Sequence, residues 1–345
     1  MLNKSDVAGH PMRSRILILV LSLAILGTLS YVCLELGALR DRRPLPDTPI
    51  AVHHRDCIWI LDGDANVVTH GPYCLSGLWK QVGIGDVEVV PNGHLYASFS
   101  YEQVLDSNLP KTVVEFDPTS SKKIREIEVP VRPGDIVRMD DHRLYVGVGT
   151  LSTREPGLAV IDTETNAVVK EIALDLPCGA EKVVLGFKKR LYVSSCWALA
   201  AVDVEIGTVS YHTIDSEPMI YDMAIDSNGY LYLLIFDEIQ VLDPENWEMI
   251  VSTGQDPDLT ACEGRSIATV DGKAFVACLK QQAIMAYDPT SNTVTPIPLP
   301  DQYTKIVAAS EGKLYLLQRD AEEVLVLDAL SDEVLTEVPL PKSRR

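Results

Sequence analysis

A strand-turn-strand pattern that recurs along the chain constrains the fold more than any other feature of the sequence. Each copy has an aliphatic run ending in Asp, a polar turn and a second run with alternating apolar residues, as in AVIDTETNAVVKEI. The repeated aspartates, at spacings of 55, 45, 41, 40, 45 and 40 residues, are Asp62, Asp117, Asp162, Asp203, Asp243, Asp288 and Asp328. A period of about 40–50 residues is typical of solenoids and propellers.

A second repeated element precedes each of the last six hairpins. It is a short strand with a central aromatic residue, and a turn and another apolar strand come before it. The aromatic residues are Tyr96, Tyr145, Tyr192, Tyr232, Phe275 and Tyr315. Each unit thus has four short strands, named a to d in chain order, and no helical period. Four strands in about 40–45 residues predict a blade of an all-β propeller.

The number of blades depends on the N-terminal unit. Six units are complete, whereas residues 50–74 have room for only two or three strands. The sequence predicts seven blades with a short first blade. A six-bladed ring with an extra N-terminal hairpin is the alternative. Because the last unit ends almost at the C-terminus, we expect N-terminal strands to lie beside it and close the ring.

The repeats resemble those of a known family. The segments LYVSS, LYVGV and AVIDTETNAVVKEI are similar to the YVTN repeat of bacterial propellers, and the pattern extends over roughly residues 50–340. The resemblance implies a β-propeller fold. It implies no particular activity, because one fold hosts many functions.

The first 48 residues differ in composition from the rest. Residues 16–34 carry no charge, and Arg residues flank them on both sides. Such a stretch is long enough to span a bilayer. We predict a cytoplasmic N-terminus at 1–15, a transmembrane signal anchor at 16–39, a linker at 40–48 and the propeller at 49–341 on the extracytoplasmic side. The alternative is a signal peptide cleaved after Ser30, which would release the propeller as a secreted protein.

Six of the seven cysteines fall into three pairs along the chain. The pairs are Cys57 with Cys74, Cys178 with Cys196, and Cys262 with Cys278. Each pair lies almost symmetrically about a hairpin turn, where facing positions come within disulfide reach. Free buried cysteines are the alternative. We predict three disulfides and therefore an oxidising compartment.

The charge balance and the absence of known motifs exclude several function classes. The net charge is −19, which makes nucleic acid a poor partner because phosphates need a basic surface. The sequence has no GxSxG elbow, phosphate-binding loop, HExxH or GxGxxG motif. We name no catalytic residue.

One set of charged residues stands out at the start of strand a. The residues ten positions before each strand-b aromatic are Asp86, Asp135, Lys182, Asp222, Arg265 and Lys305. One extra residue in the third turn would place Glu181 at the position of Lys182. Strand a is innermost in a propeller, so these side chains are predicted to ring the mouth of the central channel.

Two interpretations of this ring compete. In the first it is structural: the acids accept backbone N–H groups from the next blade and pair with the bases. In the second it binds a ligand, and Asp86, Asp135 and Asp222 could hold Ca²⁺, which prefers oxygen ligands. Metal-dependent lactonases of the gluconolactonase and paraoxonase kind have an acidic and amide metal site at this place, but no Asn stands at the six positions here.

The same face is predicted to carry two long b–c loops, at 98–112 and 148–157, and three aromatic residues. These are Trp197, which follows Cys196, and Tyr221 and Tyr303, which we expect in loops between blades. Exposed aromatics beside charges are typical of binding surfaces. The sequence therefore favours a membrane-tethered scaffold that binds a protein or small ligand on this face. The alternative is a metal-dependent hydrolase acting on lactones or esters.

Overall fold

The computed structural model describes most of the chain after residue 48. The described ranges are 49–74, 83–100, 111–118, 122–140, 142–149, 156–180, 182–214, 219–310, 312–318, 320 and 322–342. The predicted N-terminal segment, anchor and linker lie outside them. Within these ranges, no helix combines the length and the apolar character that crossing a membrane requires.

The described strands form seven antiparallel sheets, numbered here as blades 1 to 7 in chain order. Blade 1 has β1 (Pro49–His54), β2 (Cys57–Asp62) and β3 (Val67–Cys74). Blade 2 has β4 (Gly83–Val89), β5 (Leu95–Ser100), β6 (Thr112–Asp117) and β7 (Lys122–Glu128). Blade 3 has β8 (Pro133–Arg138), β9 (Arg143–Val148), β10 (Gly157–Asp162) and β11 (Ala167–Ala173). Blade 4 has β12 (Lys182–Leu185), β13 (Arg190–Ser195), β14 (Ala198–Asp203) and β15 (Thr208–Thr213).

The last three blades repeat the same order. Blade 5 has β16 (Ile220–Ile225), β17 (Leu231–Ile235), β18 (Glu238–Asp243) and β19 (Glu248–Ser252). Blade 6 has β20 (Ser266–Val270), β21 (Lys273–Ala277), β22 (Ala283–Asp288) and β23 (Thr293–Pro298). Blade 7 has β24 (Tyr303–Ser310), β25 (Lys313–Gln318), β26 (Glu323–Asp328) and β27 (Val334–Pro339). The seven-bladed prediction, with a short first blade, is confirmed.

The first strand of every blade lines the axis. Strands β1, β4, β8, β12, β16, β20 and β24 contact one another in this order around the ring, and β24 also contacts β1. The second and third strands of each complete blade are the most buried, because both of their faces pack against neighbouring blades. Seven apolar clusters fill the seven interfaces between adjacent blades. The innermost position predicted for strand a is confirmed.

Blade 1 closes the ring by packing against blade 7. Val52 and Trp59 share an apolar cluster with Tyr315 and Val326. The indole Nε1 of Trp59 also donates to the carbonyl of Pro341 at 3.1 Å. As expected, the N-terminal strands lie beside the last blade, and they form a sheet of their own there.

The repeated aspartates are structural. The Asp162 carboxylate accepts the N–H groups of Glu164 and Thr165 at 3.0 and 2.8 Å, and five other copies make equivalent bonds within the turn. Four residues after the Asp, the backbone has a positive φ in these six copies, at Asn66, Asn166, Gly207, Trp247, Asn292 and Asp332. Asn and Gly tolerate this conformation best, which explains why the turns favour them. The most regular feature of the sequence thus specifies turns.

The described residues include a short α-helix that the strand repeat does not predict. Helix α1 (Pro257–Cys262) lies between blades 5 and 6. The Asp256 side chain caps it by accepting the N–H groups of Asp258 and Leu259. Six residues are too few to show a helical period, so periodicity could not reveal this helix.

Tyrosine hydroxyls tie neighbouring blades together, and we expect Tyr315→Phe to weaken ring closure. The Tyr315 hydroxyl donates to the Gly63 carbonyl at 2.9 Å and lies 3.0 Å from Asn66 Oδ1, both in blade 1. Removing a donor to buried acceptors costs about 1–3 kcal/mol. Urea unfolding of the full-length chain measures this loss. Tyr230→Phe is the control, because that side chain is 37% exposed, and equal effects of both variants would contradict the prediction.

Candidate functional site

Five charged side chains and one histidine gather at one end of the inner strands. We call these six the mouth cluster: His53 on β1, Asp86 on β4, Asp135 on β8, Lys182 on β12, Asp222 on β16 and Lys305 on β24. They lie at the end of the propeller where strand d leads into the next strand a and strand b turns into strand c. This end is called the mouth face below.

In blade 6 the mouth cluster differs from the predicted ring of charged residues. Counting back ten residues from Phe275 gives Arg265, but the a–b turn of this blade is tight, since Val270 pairs directly with Lys273. The residue at the ring position is therefore Ser266, whose hydroxyl accepts the N–H of Ile306 at 3.2 Å. Arg265 is exposed and does not join the cluster.

In blade 4 the ring position belongs to Lys182. Its side chain reaches the acids of both adjacent blades, so a base stands where Glu181 was the alternative. Glu181 itself lies outside the described residues, and its predicted role as a ligand-binding residue stays a prediction.

Two of the acids join successive blades through backbone hydrogen bonds. Asp86 Oδ2 accepts the N–H of Ile136 in blade 3 at 2.9 Å, and Asp222 Oδ2 accepts the N–H of Ile267 in blade 6 at 3.0 Å. The structural role considered for these acids is therefore present in the fold.

Lys182 is the central cation of the cluster. Its Nζ lies 3.6 Å from Asp135 Oδ1 and 3.8 Å from Asp222 Oδ1, while the three side chains remain 35%, 22% and 15% exposed, respectively. The Asp135 carboxylate raises the pKa of Lys182, and Asp222 and Asp86 act in the same direction. Lys182 is therefore charged and holds two carboxylates of adjacent blades together.

Asp135 titrates near neutral pH. Burial raises the pKa of Asp135 to about 7, and the carboxylates of Asp86 and Asp222 add to this, whereas the ammonium groups of Lys182 and Lys305 oppose it. The charge of the mouth cluster therefore changes within the physiological range.

Lys305 has a neutral partner. Its Nζ lies 2.7 Å from His53 Nε2. Burial lowers the pKa of His53 well below its usual value, and the charge of Lys305 lowers it further. His53 is thus neutral and accepts a hydrogen bond from the Lys305 ammonium. Burial also lowers the pKa of Lys305 itself, while nearby acids, first among them Asp86, raise it.

A second carboxylate on β4 accompanies the cluster. Burial raises the pKa of Glu88 to about 7, and Asp86 adds to the rise, while Arg138 opposes it from 3.6 Å. Sequence counting missed Glu88 because only one position of each inner strand was compared.

Exposed aromatic side chains lie on the mouth face near blades 5 and 6. The guanidinium carbon of Arg265 is 3.7 Å from the centroid of the Tyr221 ring, a cation–π contact. The Tyr221 ring is in turn 6.3 Å from that of Phe236, which is 50% exposed in the b–c turn of blade 5. Tyr221 lies inside strand β16 and is partly exposed, and Trp197 in the b–c turn of blade 4 is also partly exposed.

Tyr303 was predicted to be exposed in a loop, and this is wrong. It is the first residue of β24, its side chain is fully buried, and its hydroxyl donates to Glu323. Of the two long loops expected on this face, residues 101–110 and 150–155 lie outside the described residues.

The three predicted disulfides are present, and all lie at the mouth face. The Cα–Cα distances are 4.0 Å for Cys57–Cys74, 5.9 Å for Cys178–Cys196 and 4.6 Å for Cys262–Cys278. The last two bridges each join a d–a connection to the end of strand b. They therefore hold the segments that surround the mouth cluster.

The predicted calcium ligands are occupied in other ways. Asp86 and Asp222 bond to backbone N–H groups, and the Lys182 ammonium lies between Asp135 and Asp222. In the described part of the chain, no three His, Cys, Asp or Glu side chains are grouped so as to hold a metal ion. Calcium binding by these acids stays a prediction.

No protein-family model and no curated protein sequence matches the chain. Among solved structures, it is similar to a virginiamycin B lyase from Staphylococcus aureus, with a TM-score of 0.59, 13% identity and coverage of 77% of this chain and 87% of the other. A streptogramin B lyase has a TM-score of 0.56 at 11% identity, covering 75% and 84%. The β-propeller domain of Cps50 (Swd1) from Myceliophteria thermophila has a TM-score of 0.59 at 14% identity, covering 82% and 94%. At these identities the likeness shows the propeller fold alone.

Proposed function

We propose that this protein is a membrane-tethered, extracytoplasmic propeller that binds a ligand on its mouth face. The observation that carries the proposal is the mouth cluster, a partly exposed group of charges within a mouth bordered by three disulfides. Charged groups gathered in a concave, partly desolvated place with shifted pKa values are typical of functional sites.

The aromatic group beside the mouth supports the same surface. Tyr221 contacts both Phe236 and Arg265, and all three side chains are partly or largely exposed. Aromatic and Arg side chains provide much of the energy at binding surfaces. A ligand in the mouth, or a protein segment lying across it, would contact these residues.

The disulfides support an extracytoplasmic location. Structural disulfides persist in oxidising compartments and are rare in the cytosol. The uncharged segment 16–34, with Arg residues on both sides, is long enough to anchor the propeller at a membrane.

Photo-cross-linking at two matched positions tests the binding face. Phe236 is 50% exposed on the mouth face, and Phe187 is 53% exposed in the a–b turn of blade 4, at the opposite face. We replace each by benzoyl-phenylalanine in the full-length chain and irradiate it in its own membranes. We expect adducts at position 236 in several-fold excess over position 187. Equal yields, or an excess at position 187, would contradict the proposed face.

A further inference from the structure

Two groups of the mouth cluster have interactions that the described part of the chain does not complete. Among the described residues, Asp86 and Asp222 each accept a backbone N–H from the next blade, whereas Asp135 contacts only Lys182, at 3.6 Å. The Asp135 side chain is 22% exposed. Its carboxylate can therefore accept a further hydrogen bond from a ligand.

Lys305 is the matching cation. Its ammonium has three N–H groups, and the partner seen for it among the described residues is the neutral His53 ring. No described carboxylate lies within 4.0 Å of Lys305, in contrast to Lys182, which has two within that distance. An anionic group on a ligand would complete its interactions.

Asp135 and Lys305 stand on opposite sides of the channel. The inner strands follow one another as β1, β4, β8, β12, β16, β20 and β24. Strand β8, with Asp135, is thus three strands from β24, with Lys305, in one direction and four in the other. A ligand between them must carry its two charged groups at separate ends.

The charge balance selects the kind of ligand. The cluster has three carboxylates and two ammonium groups around a neutral His53. A ligand with only a carboxylate would be repelled by three acids, and one with only an ammonium would leave Lys305 without an anion. From this arrangement we infer that the mouth binds a zwitterionic amino acid, with its ammonium at Asp135 and its carboxylate at Lys305. This inference rests on the proposed binding function and names its ligand class.

Isothermal titration calorimetry on the full-length chain in detergent tests the inference by measuring the binding of amino acids of three different lengths. The probes are glycine, 4-aminobutyrate and 6-aminohexanoate, each with its methyl ester, which keeps only the ammonium, and its N-acetyl form, which keeps only the carboxylate. We expect one length to bind, and both of its single-charge analogues to bind at least tenfold more weakly. No binding of any amino acid at 10 mM would overturn the inference, as would an ester or N-acetyl form that binds equally well.

Two variants locate the ends of the ligand. Asp135→Asn should lower the affinity for the amino acid at least tenfold and leave the low affinity for the N-acetyl form unchanged. Lys305→Met should lower the affinity for the amino acid and leave the affinity for the methyl ester unchanged. Lys342→Met is the control, because that side chain is 82% exposed and bonds to Glu322. Circular dichroism verifies folding, and Lys305→Arg, which keeps the charge, should retain binding. A loss of binding in the control, or none in either mouth variant, would contradict the assignment.

The pH dependence of the affinity for the amino acid distinguishes a binding role of Asp135 from a purely structural role. Asp135 faces Asp86, Lys182, Asp222 and Lys305, and its pKa is raised to about 7. Affinity should therefore increase from pH 6 to pH 8 as Asp135 loses its proton, while an alkyl ammonium, with a pKa of about 10, stays charged. In Asp135→Asn this increase should disappear. If cross-linking favours position 236 but no amino acid binds in the calorimeter, the proposed binding face is supported and the inferred ligand class is wrong.

Discussion

Replacing all six bridged cysteines by alanine should leave little folded propeller at 37 °C. The three bridges join residues separated by 17, 18 and 16 positions. Closing a loop of this length stabilises a protein by about 3 kcal/mol in the chain-entropy model, and three such loops by about 9 kcal/mol. Since the net stability of proteins is about 5–15 kcal/mol, most of it would be lost. Thermal melting followed by circular dichroism measures the effect.

Pairwise variants and one further cysteine provide the controls. Each single pair replaced by alanine should cost about 3 kcal/mol, and Cys33→Ala should leave the melting temperature unchanged. Peptide mapping of the non-reduced protein should recover the three linked pairs. Free thiols at these positions, or a six-alanine variant with the same melting temperature as the parent, would contradict the prediction. Free thiols would also remove the support for an extracytoplasmic location.

Lys182→Met should cost about 3 kcal/mol at pH 8. The change leaves the carboxylates of Asp135 and Asp222 without the cation that lies 3.6 and 3.8 Å from them. Breaking a buried pair costs about 3–5 kcal/mol, and the low end applies here because the Lys182 side chain is 35% exposed. Urea unfolding of the full-length variant and parent gives the difference.

The cost should shrink as the pH falls. The pKa of folded Asp135 is about 7, above the ordinary Asp value of 3.8, so lowering the pH through 7 protonates it and favours the folded state. At pH 5.5 the loss caused by Lys182→Met should therefore be smaller, and adding Asp135→Asn should recover part of it at pH 8. Lys342→Met, in an exposed ion pair, should leave the stability close to that of the parent. A cost for Lys182→Met no larger than this control would be evidence against the central role of Lys182.

The fold followed from the sequence because its signals repeat. The Asp turns and the strand-b aromatics recur in successive blades, so an error in one copy is corrected by the others. The paired cysteines were found for a similar reason, since their symmetry about a hairpin turn requires only strand pairing. Ring closure by blade 1 could be expected, but its contacts with Tyr315 and Pro341 depend on residues more than 240 positions apart.

The site was predicted only in part because it depends on register. Counting from Phe275 selected Arg265 instead of Ser266, since blade 6 combines a two-residue a–b turn with a regular strand a, whereas blade 7 has the same turn but a β-bulge in strand a that restores the count. His53 was missed because blade 1 lacks the strand-b aromatic from which to count. Tyr303 was misplaced because Lys305 was taken as the start of strand a, whereas β24 begins two residues before it and the Tyr303 ring is buried between blades. Turn length and strand start are set locally in each blade, and a pattern shared by all repeats does not predict them.

The mouth cluster already holds a cation of its own, Lys182, between two of the three acids proposed as calcium ligands. A binding site for an organic ligand and the metal site of a hydrolase therefore differ in one measurable property. The most direct test is the melting temperature of the full-length protein with and without millimolar Ca²⁺, in the parent and in Asp135→Asn. We expect Ca²⁺ to leave the parent unchanged. A rise in the parent that Asp135→Asn abolishes, equivalent to about 2.7 kcal/mol at a hundredfold excess over Kd, would contradict the ligand-binding role and favour a metal-dependent hydrolase.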